Sequence, residues 1–279
     1  MEDSERFKSN MDVFLSQKNE NDGSFIDYFE SFNETTSTFH ESDIRTDWNT
    51  ALQFKIAFNA LINIKASLDE NSNISIPPLL DVGSKFSEAL SFSHLFHVLY
   101  TECRHGSPSG QVYEVPGMNM SLLNSEAQKL DHHIPRNSVA ILTSLHAMEH
   151  FGLGRYGDNI DYFGDQKALK VFKDIICENG YLLLSVPFSP NNSPRIEFHG
   201  QRVYNFKTIE SMLQSEGFSI CHEWFIFPMG AIRDKHNKPK YPVTSSRDYV
   251  LNLPYSGVDE EGIGVYLTIS QKKVVQDRK

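Results

Sequence analysis

The sequence predicts an α/β protein: a Rossmann-like, seven-stranded, mostly parallel sheet with helices on both faces, preceded by an N-terminal helical extension. Three observations carry this expectation. From Leu79 onward, short apolar runs alternate with segments of helical periodicity, the pattern of parallel βαβ units. The first run ends in Asp81-Val82-Gly83-Ser84, with a glycine at a strand-to-helix turn. An acidic residue closes the second run and another follows the third.

Residues 1 to about 45 are polar with scattered aromatics (Phe7, Phe14, Phe25, Tyr28, Phe29, Phe32) and read as short helices or an arm on the main domain. The cluster Asn19 to Ser24 marks a turn. Trp48 to Ala66 reads as an amphipathic helix, with Leu52, Ile56, Ala60 and Ile64 on one face, broken by Asn71 to Pro78. The predicted strands are LLDV (79–82), HVLYTE (97–102), MSLLNS (120–125), VAILTS (139–144), YLLLSVPF (181–188), SICHEWFIF (219–227) and GVYLTIS (264–270). Gln166 to Cys177 and Thr208 to Glu216 are the clearest helices, followed by Gly180 and Gly217. This divides the chain into a helical extension over 1–70 and a sheet domain over 71–279. Residues 228–262 then form an insertion, too long for a plain connection, that shapes an acceptor site.

Composition narrows the function. The 279 residues carry 26 Lys plus Arg and 36 Asp plus Glu, a net charge of −10, which disfavours nucleic acid as the main partner. With 39% hydrophobic residues the chain can bury a full core. No run approaches the ~18 apolar residues of a membrane span. The polar start MEDSERFKSN does not read as a signal peptide, so a cytoplasmic protein is expected. Cys103, Cys177 and Cys221 stand far apart, which fits a reducing compartment and excludes a disulfide framework or a cysteine-rich zinc site. The sequons at Asn33, Asn73 and Asn119 read as chance matches.

Ligands of open parallel sheets bind outside the carboxyl ends of the strands. Gly83 there permits close backbone approach, with Ser84 leading into a helix. Glu102 lies 21 positions after Asp81, the spacing at which an acid accepts both ribose hydroxyls of a nucleoside. Ser125-Glu126-Ala127 follows the third strand, with a carboxylate suited to an adenine amino group, and the fourth runs into Thr143-Ser144-Leu145-His146. Asp81, Gly83, Ser84, Glu102, Glu126, Ala127 and Ser144 are therefore the candidate cofactor-binding residues.

This layout resembles a class I S-adenosylmethionine-dependent methyltransferase. LLDVGSK, Glu102, SEAQKL, SLHAMEHFGLGRYGD, GDQKALKVFKDII, GYLLLSVPF and RIEFHGQRVYN resemble a poorly characterised branch of that superfamily, whose genes often lie among those for surface-polysaccharide assembly. The resemblance covers about residues 79–227 and is most specific from Ser144 to Asp165. It implies S-adenosylmethionine as cofactor and a carbohydrate-like small molecule as substrate. Two departures stand out. Lys85 occupies the second glycine position of the acidic-x-Gly-x-Gly loop, and His199-Gly200-Gln201-Arg202 stands where the family has Asn-Ala-His-Arg.

The middle segment admits three readings. His146-Ala147-Met148-Glu149-His150 fits H-x-x-E-H, a zinc-hydrolase signature. However, Gly152 and Gly154 cut any helix short, no third ligand is evident, and no metal is expected. Gly152 to Gly157 fits G-x-G-x-x-G, but HAMEHF separates it from the strand, so it reads as a loop over the site rather than a dinucleotide fingerprint. The favoured reading is acid–base chemistry. A hydroxyl acceptor must lose a proton, and a histidine of ordinary pKa ~6.5 suits that task. His150 is the first choice as base, with His146 and Glu149 as further catalytic candidates and Glu149 orienting either imidazole; all three also read as hydrogen-bonded residues that fix the loop. Arg155, Tyr156, Asp158, Arg195, His199 and Arg202 are candidate substrate contacts, although Arg195 and Arg202 equally read as partners of surface acids. The expectation is thus a sugar O-methyltransferase of glycan building, and a possible homo-oligomer. The alternatives are a catalytically silent member of the fold that serves as a binding scaffold, motivated by Lys85, and a metal-dependent enzyme using His146 and His150.

Overall fold

The structure is a computed structural model that describes residues 13, 16–17, 26–28, 41–71, 78–103, 109–189, 194–197, 200–227, 243–251 and 264–273. His199, most of residues 1–45 and most of the expected insertion at 228–262 lie outside the described residues. In chain order the elements are β1 (Ile26–Tyr28), α1 (Glu41–Asn71), β2 (Leu79–Val82), α2 (Phe86–Phe92), β3 (Val98–Glu102), β4 (Val112–Glu114), β5 (Met120–Asn124) and β6 (Val139–Leu145). They continue with α3 (Gly164–Ile175), β7 (Ile176–Phe188), β8 (Arg195–Glu197), β9 (Gln201–Val203), α4 (Phe206–Ser215), β10 (Phe218–Ile226), β11 (Val243–Thr244), α5 (Arg247–Leu251) and β12 (Gly264–Lys272).

The expected α/β class is observed. The central sheet runs β11-β10-β12-β7-β6-β2-β3-β5-β4, nine strands where the sequence predicts seven. The two extra strands are the short edge pieces β4 and β11, too brief for an apolar pattern to reveal. Strands β2, β3, β5, β6 and β7 are mutually parallel, and β12 inserts antiparallel between β7 and β10. A separate three-stranded sheet joins β1, β8 and β9. The strand runs pair with one another because they are apolar on both faces: every residue of β2 and seven of the nine in β12 up to Ser270 are buried without a break.

Each sheet face has its own core. One gathers Leu80, Leu142, Leu182, Phe172 and Leu169 under α3. The other gathers Leu79, Ile141, Leu183 and Leu267 under Ala57, Leu61 and Ile64 of α1. Helix α1 is longer than predicted at both ends, and its buried face centres on Gln53, Ala57, Ala60, Leu61 and Ile64, so Leu52 and Ile56 sit at the margin. Strand β7 starts at Ile176, inside the predicted helix and five residues before the predicted strand, with a register irregularity against β6 that absorbs the polar Cys177 to Gly180 stretch. Helix α4 starts two residues early, because the Asn205 side chain accepts a hydrogen bond from the Thr208 amide at 3.0 Å and caps it.

Candidate functional site

The chain leaves β2 toward β3 on one side, while β6 arrives on the other, so the connections diverge between β2 and β6. A crevice opens at the carboxyl ends of strands at such a switch point. Residues 81–84 and 143–150 are the strand ends that meet at this switch point.

The β2 wall is rigid. Asp81 is fully buried, its carboxylate accepting from Thr143 Oγ1 at 2.5 Å across the β2–β6 pair and from the Ser84 amide at 3.2 Å. Burial pushes its pKa up to about 6. Ser84 Oγ accepts from the Leu145 amide and the Ser84 carbonyl accepts from Tyr100 Oη, both at 3.0 Å. Ser144 Oγ donates to the Val82 carbonyl at 3.0 Å. Gly83 has φ +73°, and a Cβ there would stand 3.1 Å from Ala147 Cβ, so glycine permits both the left-handed turn and the close approach of the β6 wall. Asp81, Ser84 and Ser144 thus brace the crevice from beneath, and the expectation that Asp81 opens onto a ligand is corrected: its oxygens are spent within the two walls. The Lys85 side chain is exposed at the rim.

Glu102 is exposed at the end of β3, level with Asn124 of β5. Glu126 accepts from Lys129 Nζ and from Asn159 Nδ2, both at 2.7 Å, which ties the end of β5 to the glycine loop; Ala127 is buried in the core. Burial first, and then the charges of Glu126, Asp158 and Glu102, push the half-buried Cys103 thiol pKa up against the opposite pull of Lys129. Glu102 and Glu126 stand at the ends of the paired parallel strands β3 and β5, and Asp81 is buried at the end of β2.

The β6 wall holds the histidines. His146 has φ +52°, a backbone conformation uncommon outside glycine and frequent at functional sites. Its amide is held by both Ser185 O and Ser185 Oγ, at 3.1 and 3.0 Å. Met148–His150 is a single 3-10 turn, so the H-x-x-E-H residues do not lie on an α-helix face. Instead both imidazoles approach the buried Glu149: His146 Nδ1 lies 2.8 Å and His150 Nε2 3.8 Å from its Oε1. The two rings hold the Glu149 pKa down against the opposing effect of burial. An ionised carboxylate only accepts, so His146 Nδ1 is the donor in this contact, on a side chain 31% exposed. His150 differs. Its Nδ1 donates to the Gly200 carbonyl at 2.7 Å, its side chain is 12% exposed, and burial lowers its pKa. Among the described residues no three His, Cys, Asp or Glu side chains are arranged to hold a metal ion.

Residues 151–163 form a pinned loop rather than a dinucleotide fingerprint. Asp158 accepts from the amides of Gly152, Gly154 and Tyr156 at 2.7, 3.4 and 3.3 Å. A Cβ at Gly152 (φ +79°) would fall within 2.1 Å of the Asp161 carbonyl oxygen. Arg202 is fully buried and donates to the carbonyls of Phe151 at 2.6 Å and Tyr162 at 2.8 Å, with Asp165 3.5 Å from its Nε. Gln17 brackets the same loop from the N-terminal segment, donating to Ile160 O and accepting from the Tyr162 amide. The expected substrate roles of Asp158 and Arg202 are therefore corrected to loop fixation. Arg195 pairs with Glu197 at 3.0 Å on β8, the surface pairing that the sequence also allowed. Arg155 and Tyr156 remain exposed: Arg155 donates to Gly200 O and lies over the Tyr156 ring, which stands edge-on to His150 at 5.4 Å. Sequence reading missed Glu88, Gln17 and Asn159. Two are ordinary polar residues whose partners lie more than thirty positions away, and Glu88 follows the turn with no motif around it.

A family model described as a Caenorhabditis protein of unknown function, DUF268, matches residues 119–225, from β5 into β10. No curated protein matches the chain in sequence. Among solved structures, a SAM-dependent methyltransferase from Archaeoglobus fulgidus is 15% identical with a TM-score of 0.45, covering 76% of this chain and 94% of its own. The 1,6-didemethyltoxoflavin-N1-methyltransferase of Burkholderia thailandensis, solved with S-adenosylhomocysteine, is 12% identical with a TM-score of 0.42, covering 86% of this chain and 92% of its own. The YcgJ protein of Bacillus subtilis is 12% identical with a TM-score of 0.43, covering 75% and 98%.

Proposed function

We propose that this chain is an S-adenosylmethionine-dependent methyltransferase acting on a hydroxyl of a sugar or nucleotide-sugar. The observation that carries the reading is the switch point between β2 and β6, where the left-handed Gly83 turn and the carboxylate-oriented His146 come together. The residues suit an adenosyl group. Glu102 offers an exposed acid at the end of the neighbouring strand, and Glu88 adds two buried oxygens that complete no hydrogen bond. S-adenosylmethionine, when bound, supplies an activated methyl group.

The chain's own residues then have two tasks. The first is to hold the acceptor beside that group, a positioning effect worth ~7–11 kcal/mol in favourable cases. The exposed Tyr156 ring and Arg155 at the mouth suit the hydrophobic face and hydroxyls of a sugar. The second is to take the acceptor's proton. We assign this to His146 Nε2 in place of His150, because Glu149 fixes its tautomer and leaves Nε2 unengaged on a partly exposed ring. His150 is held by Gly200 and braces the mouth.

Calorimetry with S-adenosylmethionine and S-adenosylhomocysteine tests the cofactor; micromolar binding of both is expected, and no binding of either sinks the reading. Mass spectrometry of a panel of nucleotide-sugars incubated with protein and cofactor tests the acceptor, with a gain of one methyl on oxygen expected. A catalytically silent binding protein is favoured by Lys85 at the glycine position. It is the reading left standing if cofactor binds and no acceptor is ever methylated.

A further inference from the structure

Glu88 lies in the first turn of α2 and is 5% exposed. Among the described residues neither of its carboxylate oxygens completes a hydrogen bond; the donor that faces it is the Lys85 backbone amide at the start of the helix. Three charged groups face it: Asp81 from the end of β2, Lys85 from the turn and His146 from the end of β6. These belong to the two walls of the crevice, so the unpartnered carboxyl sits at the switch point rather than in the packed core. Buried polar groups are almost always bonded, and an exception at a cleft asks for the partner that completes it.

We propose that Glu88 is the receiving carboxylate for an ammonium group in this crevice, that of the amino-acid tail of an adenosyl cofactor. The inference rests on the methyltransferase reading above. An ammonium offers three donors and a positive charge to two oxygens that complete no hydrogen bond, and the buried Asp81 alongside favours a cation further. The contact also answers the departure at Lys85. A side chain there limits close backbone approach, and a charged side-chain contact one turn later replaces it. Burial first, and the charge of Asp81 second, raise the Glu88 pKa to about 7, against the weaker opposite pull of Lys85 and His146. A proton therefore leaves Glu88 for solvent as the ammonium arrives. Affinity rises with pH below about 7 and levels above it, by up to about tenfold per pH unit.

The test is calorimetry on the full chain with two probes. S-adenosylhomocysteine carries the ammonium, and 5′-methylthioadenosine has the same nucleoside and thioether without the amino-acid tail. For the wild type, S-adenosylhomocysteine is expected to bind more tightly from pH 6 to pH 8 and to release a proton, read from buffers of different ionisation heat, while 5′-methylthioadenosine binds independently of pH. In E88Q, S-adenosylhomocysteine weakens at least tenfold at pH 8 and its pH slope flattens; 5′-methylthioadenosine stays within twofold, which also shows that the variant is folded. Wild-type protein that binds both probes without proton release, or E88Q unchanged toward S-adenosylhomocysteine, overturns the inference alone. Wild-type protein that binds neither probe removes the methyltransferase reading and the inference with it.

Discussion

At His146 and His150 the same side chain has two different environments, and the difference decides their chemistry. Both rings reach one carboxylate, but His146 is hydrogen-bonded to it and 31% exposed, whereas His150 donates to the Gly200 carbonyl and is 12% exposed. Replacing His146 by alanine is expected to lower kcat about 10²–10⁴-fold with little change in cofactor affinity. Replacing His150 by glutamine, which keeps a donor for the Gly200 carbonyl, is expected to cost less than tenfold. Steady-state kinetics on the two variants checks the order, and the reverse order would restore His150 as base. A second consequence concerns stability. The Glu88 pKa is raised in the folded chain from 4.5 to about 7, so the fold holds that proton more tightly than the unfolded chain does. Its stabilising contribution is complete below about pH 4.5 and is lost as pH climbs through 7. Asp81, raised to about 6, acts in the same direction. Urea unfolding of the wild type should therefore lose stability between pH 5 and pH 8, by roughly 3 kcal/mol at most from Glu88. E88Q should flatten that decline; an E88Q curve parallel to the wild type would show that the carboxyl is not protonated in the fold.

The loop over residues 151–163 shows what motifs conceal. Its G-x-G-x-x-G spacing imitates a phosphate cradle, yet its glycines serve tight turns whose amides are turned onto Asp158. The sequence already told against the fingerprint, because HAMEHF separates it from β6. It gave no sign that Arg202, fifty residues on, would be the buried clasp, since a lone arginine after a strand has the same local signature whether it meets substrate or carbonyls. R202K keeps the charge but loses the planar fork that reaches Phe151, Tyr162 and Asp165. Removing one partner of a buried pair costs about 3–5 kcal/mol. The expectation for R202K is a loss approaching that range in denaturant unfolding, together with faster hydrogen exchange at the amides of residues 152–162. Unchanged exchange there would mean that Asp158 holds the loop without help.

Across the whole chain, legibility followed the range of the interactions. The strands of the central sheet could be read because each is an apolar run bounded by polar turns, and β2 matches its predicted span. The order β7-β6-β2-β3-β5 placed the acids of β2, β3 and β5 at one edge, as their spacing implied. What stayed hidden was depth: spacing does not distinguish the buried, internally bonded Asp81 from the exposed Glu102. Short edge strands and the β1–β8–β9 sheet stayed hidden too, because three residues carry no periodicity. The sequence set α1 apart, as part of a helical extension over 1–70 outside the sheet domain. Leu61 bears on this, since it is fully buried with Leu79 of β2, Ile141 of β6, Leu183 of β7 and Leu267 of β12. A helix sharing one core with four central strands should not melt apart from them. Leu61→Ala is expected to cost about 2–5 kcal/mol and to lower the melting of helix and sheet signals together, in one transition by circular dichroism and tryptophan fluorescence. Two separated transitions, with the sheet melting as in the wild type, would show that α1 folds as a unit of its own.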